Sequence, residues 1–390
     1  MKLIYDCKVD EKNILINDTD SSFFDEKSFI KGNNILIHGE NFEVLKNLLY
    51  QQNMANKFDL IYIDPPFSTN KVFRIGDERT STISAGSKDC VAYTDSLQGD
   101  EFIEFLRQRL ILMRELMSEK GSIYLHIDYK IGHYVKIIMD EVFGAKNFRN
   151  DIARIKCSPK NFQRKAFGNV KDLILFYTKT DNYIWNETAE AITEEEVIKR
   201  FNKIDINGKR YNTIPLHAPG ETRNGLTGHE WRGLKPPKGR HWRSEPDVLE
   251  QLDKDGLVEW SKTGNPRKII YADEAVKKGK KFQDIWEFKD LMYPDYPTQK
   301  NEKLLDLIIK NSSEKDSWVL DCFAGSGTTL LSASKNDRQW VGIDQSEQAI
   351  NVIKARLNKL QPGLSVKKND YQFIEPNYNS ENLGIISPTV

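Results

Sequence analysis

The chain has 390 residues, room for two or three structural units, and is 39% hydrophobic, 11% aromatic and 29% charged, a composition that excludes a fibrous or disordered protein. Its 57 Lys plus Arg balance its 57 Asp plus Glu, so the net charge alone argues against a nucleic-acid partner. No apolar run reaches the roughly 18 residues of a membrane span, the opening residues lack a secretory signal, and four scattered cysteines without a Cys-x-x-Cys pair or clustered histidines speak against disulfides and zinc. A cytoplasmic protein with no membrane association and no metal is expected.

In chain order, Asn34-Ile-Leu-Ile-His-Gly reads as a strand and Glu43-Val-Leu-Lys-Asn-Leu-Leu as a helix. Phe58-Asp-Leu-Ile-Tyr-Ile-Asp is a nearly continuous apolar run of strand length closed by Pro65-Pro66, the pattern of a buried parallel strand. Residues 71–99, rich in Ser, Thr and Gly, read as a mobile loop. A helix over Phe102 to Met117, a strand over Gly121 to Asp128 and a helix near Tyr134–Phe143 complete an α/β alternation. The texture changes from about 150: residues 151–296 hold five of the seven Trp and no sustained βα alternation. From 302 the pattern resumes, with a helix to Asn311, a strand Ser317-Trp-Val-Leu-Asp, a helix Thr328 to Lys335, a strand Gln339-Trp-Val-Gly-Ile-Asp and a final helix near Glu347–Leu360. One α/β domain split by an inserted module is expected.

The segment Asp321-Cys-Phe-Ala-Gly-Ser-Gly-Thr-Thr329 is a strand end, a glycine turn and a helix start. Gly325 and Gly327 permit close approach of a ligand to the main chain, although a plain turn would look the same. Leu330 stands where a dinucleotide fingerprint needs its third glycine, and no Gly-Lys-Ser/Thr follows, so a pyrophosphate ligand is disfavoured. Asp344 ends the next strand, placed to accept both ribose hydroxyls or else to cap a helix. A nucleoside without a diphosphate fits, S-adenosylmethionine among them, with Asp321 attracting its ammonium group. Thr328 and Thr329 could equally be helix caps, and Phe323 core.

Asp64-Pro-Pro-Phe67 follows a buried strand, at the edge where open α/β sheets place ligands. Proline locks the chain, so Asp64 and neighbouring carbonyls can serve as fixed acceptors, with Phe67 as a stacking face. Two acceptors beside an aromatic suit an exocyclic amine on a planar ring: hydrogen bonds from its protons would pull the nitrogen out of conjugation and restore its nucleophilicity. A merely rigid turn is the alternative.

Together these motifs resemble those of amino-group DNA methyltransferases: Asp64-Pro-Pro-Phe67 the catalytic motif, and Asp321-Cys-Phe-Ala-Gly-Ser-Gly-Thr328 the cofactor motif. Their order, catalysis before cofactor, is similar to the circularly permuted beta class, which includes type III modification subunits and stand-alone type II enzymes. Tyr296-Pro-Thr-Gln-Lys300 resembles the segment that cradles the cofactor's methionine end, His38-Gly-Glu-Asn41 the stretch before the catalytic strand, and Trp231-Arg-Gly and Pro266 to Trp286 parts of the central region. The chain departs from the pattern at Phe67 (commonly Tyr), Asn301 (commonly Pro) and Glu40 (commonly Asp). It is short for a type III subunit, so a smaller stand-alone enzyme is expected.

The resemblance implies a Rossmann-like S-adenosylmethionine-dependent methyltransferase sheet, α/β and circularly permuted, with an inserted α+β target-recognition region. The expected organisation is an N-terminal extension over 1–30, catalytic domain over 31–180 and 296–376, the inserted region over 181–295, and a loosely ordered tail over 377–390. It implies catalytic roles for Asp64, Pro65, Pro66 and Phe67. Cofactor contacts are implied for Asp321, Phe323, Ala324, Gly325, Ser326, Gly327, Thr328, Thr329, Asp344, Gln345, Thr298, Lys300 and Asn41. The implied reaction is in-line methyl transfer to adenine N6 in a flipped-out base, without metal or covalent intermediate. Cytosine N4 is the rival, disfavoured because those enzymes usually carry Ser in place of Asp64; a DNA-binding module with a silent site is another. Cys322 and His126 are expected to be structural.

Double-stranded DNA is the expected partner, with a cognate restriction endonuclease and a second copy of the chain as further partners. Two acid-free runs supply basic and aromatic side chains: Arg154, Lys156, Lys160, Arg164 and Lys165 in the first, Arg232, Lys235, Lys238, Arg240 and Arg243 in the second. Residues 151–300 hold 28 Lys plus Arg against 23 Asp plus Glu, so the neutral total conceals a basic middle and an acidic remainder.

Overall fold

The run Phe58–Ile63 forms a strand with five of its six side chains buried in the computed structural model. Its apolar residues do not alternate because both faces are covered. The structure describes residues 2–20, 22–24, 34–66, 72–76, 79–81, 90–94, 99–159, 165–222, 224–262, 264–291, 294, 299–360 and 371–377. It divides into two units, 1–188 with 283–390, and 189–282.

In chain order the first unit carries β1 (Asn34–His38), α1 (Asn41–Tyr50), β2 (Phe58–Ile63), α2 (Gly99–Leu116), β3 (Met117–Ile127), α3 (Gly132–Met139), β4 (Phe148–Ile155) and β5 (Lys171–Thr178). Beyond the second unit follow β6 (Ile285–Trp286), α4 (Glu302–Ser312), β7 (Trp318–Asp321), α5 (Thr328–Lys335), β8 (Gln339–Asp344), α6 (Glu347–Lys359) and β9 (Tyr371–Ile374). The strands form one nine-stranded sheet in the order β6-β4-β5-β3-β2-β7-β8-β1-β9. Only β5 runs against the others, antiparallel to both β3 and β4.

Side chains alternate across this sheet. Ile61 and Ile63 of β2, with Ile123 and Leu125 of β3, join Leu45, Leu48, Leu110, Met113, Val135 and Ile138 of α1, α2 and α3 in one apolar core. Tyr62 and Tyr124 alternate to the opposite face, where the Tyr124 hydroxyl meets Ser312 Oγ of α4 at 2.8 Å. Described residues near the N-terminus fasten onto α2: Tyr5 donates to Glu104 at 2.6 Å, and Arg107 donates to the Val9 carbonyl at 3.0 Å.

Two expectations are corrected. Residues 71–99, read as a loop, contain strands Val72–Gly76, Arg79–Ser81 and Cys90–Thr94 in a three-stranded antiparallel sheet. The first basic run is partly sheet: Arg154 lies in β4, and β5 opens six residues after Lys165, at Lys171. The pair is antiparallel, and among the described residues no helix lies between its strands, so the βα alternation that marks the other strands is missing.

The second unit holds a four-stranded antiparallel sheet of Lys203–Ile204, Arg210–Pro215, Pro266–Tyr271 and Val258–Trp260, and helices Glu194–Arg200, Pro246–Lys254 and Ala272–Lys278. It has its own small core of Leu216, Trp231, Trp242 and Leu249. Its first and last strands, Ala189–Glu190 and Lys280–Lys281, pair with each other. The second unit thus begins and ends on neighbouring strands.

Candidate active site

Asp64, Asp321 and Asp344 reach one edge of the sheet from strands remote in the chain and adjacent in space. Ile61 of β2 lies in register with Leu320 of β7, and Asp321 with Gly342 of β8. Ligands of open α/β sheets bind at such carboxyl edges.

Asp321 is 2% exposed and accepts the Phe323 N–H at 3.0 Å. Burial pushes its carboxyl up to about 7; hydrogen bonds from Thr329 and Phe323 oppose this, and the neighbouring Asp64 and Asp344 charges add to it. No ion pair holds Asp321 among the described residues. Asp344 binds both flanking turns: one oxygen accepts from Gly325 N–H at 2.7 Å and the other from Ser346 N–H at 2.9 Å. Burial raises it too, against those main-chain bonds. The cap of α6 is Ser346, not Asp344. The turn is completed by Ala324 N–H on the Ile343 carbonyl at 3.1 Å and by Gly327 in the left-handed region, φ 72°, as the residue before α5. Ser326 and Thr328 are buried, their hydroxyls 3.1 Å apart, and Arg356 donates to the Ser326 carbonyl at 2.6 Å. Phe323 is half-buried, its ring 6.1 Å from that of Phe105. Gln345 is exposed and its carbonyl faces His38 Nε2 at 3.3 Å.

These residues fit a nucleoside carrying a cation and no diphosphate. The turn offers main-chain approach, its one neighbouring guanidinium, Arg356, is engaged by the Ser326 carbonyl and the Thr328 hydroxyl, and the buried Asp321 carboxylate has no ion-pair partner among the described residues.

Asn41 and Lys300 both have protein partners at this edge of the sheet. Asn41 buttresses the turn from beneath, donating to the Cys322 carbonyl at 2.9 Å and accepting from Arg109, which also pairs with Glu40. Arg109 stacks 3.5 Å from the centre of the Phe105 ring, and burial lowers its basicity despite Glu40. Sequence reasoning missed it, although a basic residue on the apolar stripe Phe105, Arg109, Leu112 was a usable signal. Lys300, expected at the cofactor's methionine end, lies 2.5 Å from Asp64 Oδ2. Pro65 is buried and Pro66 half-buried; Phe67 and Thr298 lie outside the described residues. Cys322 is buried with its Sγ 3.8 Å from Met113 Sδ, and burial raises its thiol well above the usual range.

Of the expected DNA contacts, Arg154 requires correction. It is 1% exposed, donates to the Phe288 carbonyl at 2.8 Å, pairs with Asp290 at 2.5 Å and lies 3.6 Å from Asp172. A strand side chain facing the covered side of a sheet has no route to phosphate. Lys156 is bound to Asp172 at 2.6 Å and Lys165 is exposed; Lys160 and Arg164 lie outside the described residues. In the second unit Arg232 is clamped by Glu250 at 2.7 Å and by Asp253. Lys235, Lys238, Arg240 and Arg243 are exposed, Arg240 on His217 Nδ1 at 3.2 Å and Arg243 on the Pro215 carbonyl at 3.1 Å.

Fold and site together define a Rossmann-like α/β enzyme with a nucleoside-type turn beside a carboxylate held on proline. The family described as DNA methylase matches residues 58–355, and the chain belongs to this family of N6/N4 DNA methyltransferases. It is 39% identical over 366 residues to the type II methyltransferase M.EcaI of Enterobacter cloacae, covering 91% of this chain and 77% of that one. To the type III restriction-modification enzyme StyLTI Mod subunit of Salmonella typhimurium it is 28% identical, covering 76% of this chain and 49% of that one, so it spans about half that subunit's length. The solved M1.HpyAVI–SAM complex aligns over 83% of this chain and 98% of that one at 17% identity, with a TM-score of 0.41. Among the described residues no helix is long and apolar enough to cross a membrane.

Proposed function

We propose that the chain transfers a methyl group from S-adenosylmethionine to the N6 amino group of adenine in double-stranded DNA. The observation that carries this reading is the adjacency of β2 and β7, which sets the Asp64-Pro-Pro turn beside the Asp321–Gly327 turn. The bound cofactor supplies a methyl group on a positively charged sulfur. Asp321 attracts its ammonium group, Asp344 its ribose, and the Gly325–Gly327 main chain its face. Asp64 and a carbonyl of the proline turn accept the two protons of the target amine, and Phe67 stacks on its ring. The rest of catalysis is positioning and electrostatics. An amine inside a duplex is out of reach, so the base is flipped out at roughly a few kcal/mol, offset by phosphate contacts from Lys235, Lys238, Arg240 and Arg243. Carboxylate in place of serine at Asp64 favours adenine over cytosine N4. Catalytic strand before cofactor strand supports the permuted class, and a cognate restriction endonuclease is the partner that its relatives' names suggest.

Modification-sensitive sequencing of DNA from cells with and without the protein is expected to show N6-methyladenine at one short motif. N4-methylcytosine there would transfer the reading to the rival base. Cofactor binding with no modified base would leave only a DNA-binding module.

The raised Asp321 carboxyl makes cofactor binding pH-dependent. Below about 7 Asp321 is protonated and attracts no cation, so affinity should rise up to about tenfold per pH unit and level off above that point. Asp321→Asn should flatten this profile in calorimetric titrations. Without cofactor the sign for stability is opposite: the native carboxyl holds a proton that the unfolded chain has lost from about pH 4 upward, so its contribution falls as pH rises towards 7. Asp321→Asn should remove that fall.

A further inference from the structure

Behind Asp64, on the covered face of the sheet, lies a histidine the mechanism above does not use. His126 of β3 is fully buried, yet three neighbours are polar. The Tyr62 hydroxyl is 3.0 Å from Nδ1, Asp64 Oδ1 is 3.7 Å from the same nitrogen, and Asp172 Oδ2 of β5 is 3.4 Å from Nε2. Asp64 turns one oxygen to Lys300; the other, Oδ1, is buried and has no hydrogen-bond partner among the described residues. An unsatisfied buried acceptor costs about 1–3 kcal/mol, so its persistence at a reacting group calls for a role.

We propose that His126 is the second station for the proton shed during methyl transfer, acting through Asp64. This rests on the reading of Asp64 as acceptor of the target amine. As the nitrogen–methyl bond forms and the carbon–sulfur bond breaks, its electron pair passes to sulfur and the nitrogen is left with one proton too many. Asp64 takes that proton on its outward oxygen, a turn of the carboxyl group carries it to the inner position facing Nδ1, and His126 receives it. The tautomer follows from the neighbours: Nε2–H points to the Asp172 carboxylate and Nδ1 carries the lone pair. Tyr62 donates to a neutral Nδ1 and, by rotating its hydroxyl, accepts from a protonated one. Release to water on product exchange resets the chain.

The charges support the resting state. Burial lowers the basicity of His126, as do Lys300 and Arg154, while Asp172 and Asp64 raise it; the net shift is downward, so His126 is neutral and ready at neutral pH. The Asp172 carboxyl, despite burial, is held well below its usual range by His126 and Lys156, so it remains an anion for the imidazolium to face.

The test is single-turnover methyl transfer against pH at saturating cofactor, where the titration of Asp321 drops out. Wild type should lose rate on the acid side as His126 protonates. His126→Gln should bind cofactor and DNA as wild type does, lose about 10²-fold in rate and lose that acid limb. Asp172→Asn, which removes the anion favouring the imidazolium, should move the limb to lower pH, and it decides the matter if His126→Gln does not fold. A His126→Gln rate within threefold of wild type, an acid limb surviving in it, or an unmoved limb in Asp172→Asn would each overturn the relay. Wild type that methylates no DNA would instead remove the functional reading itself, a failure visible before any variant is made.

Discussion

Replacing Asp64 by asparagine should leave cofactor affinity within a few-fold of wild type and lower single-turnover methyl transfer by about 10³-fold, the scale on which a single positioned polar group acts in a transition state. The two halves of this result come from two places in the fold. On the proposed reading the cofactor contacts belong to β7, β8 and their turns, where Asp344 and Asp321 bind main-chain N–H groups; Asp64 follows β2 and touches none of these. On the reaction side, asparagine is close to isosteric but has only one acceptor oxygen. Lys300, 2.5 Å from Asp64 Oδ2, is a donor and claims that oxygen. The amide nitrogen then takes the place of Oδ1 beside His126, and the side chain, no longer a base, cannot take up the proton that the amine sheds. Lys300 keeps a partner, so folding is largely spared, which an alanine would not ensure. Transfer of labelled methyl to duplex DNA, read beside calorimetric cofactor binding, separates the two effects. Turnover within tenfold of wild type would sink the role of Asp64.

Much of the fold was legible because buried parallel strands write continuous apolar runs. Phe58–Ile63, Trp318–Asp321 and Gln339–Asp344 read as strands in sequence and are strands in the sheet. Which of them lie side by side was not legible: the adjacency of β2 and β7 is a long-range pairing that no local pattern encodes. The antiparallel pair β4 and β5 was hidden for another reason, since its first strand carries the basic residues of a supposed surface run. Composition cannot tell Arg154, consumed by Asp290 and the Phe288 carbonyl, from the exposed Arg243, because the difference is one of strand face. The site divided in the same way. Asp64, Asp321 and Asp344 announced themselves by standing where apolar strands end. Arg109, Tyr62 and His126 sit inside elements, and their polar partners come from other strands and helices. Lys300 is the mixed case: its motif marked it for the site, and only the tertiary packing put it on Asp64.

Gly327→Val should damage folding and cofactor binding together, in contrast to Asp64→Asn. Gly327 sits at φ 72°, where a side chain is strained, and a Cβ there would lie 2.8 Å from Ile353 Cγ1 and 3.3 Å from its Cγ2. Ile353 is fully buried in α6 and has no room to retreat. The left-handed backbone and the overpacking together should cost about 2–4 kcal/mol of unfolding free energy. The alternative to paying that strain is for the turn to move, and movement carries Gly325 away from Asp344, the bond that binds the turn to the end of β8. The cofactor face is then displaced whichever way the conflict is resolved, and affinity should fall by at least about tenfold, the equivalent of 1.4 kcal/mol. Denaturant titration and cofactor calorimetry on the same preparation check both. A variant that loses affinity at wild-type stability would mean that the valine blocks the ligand directly and does not press on α6. One that keeps both would show that the turn is not held against Ile353 at all.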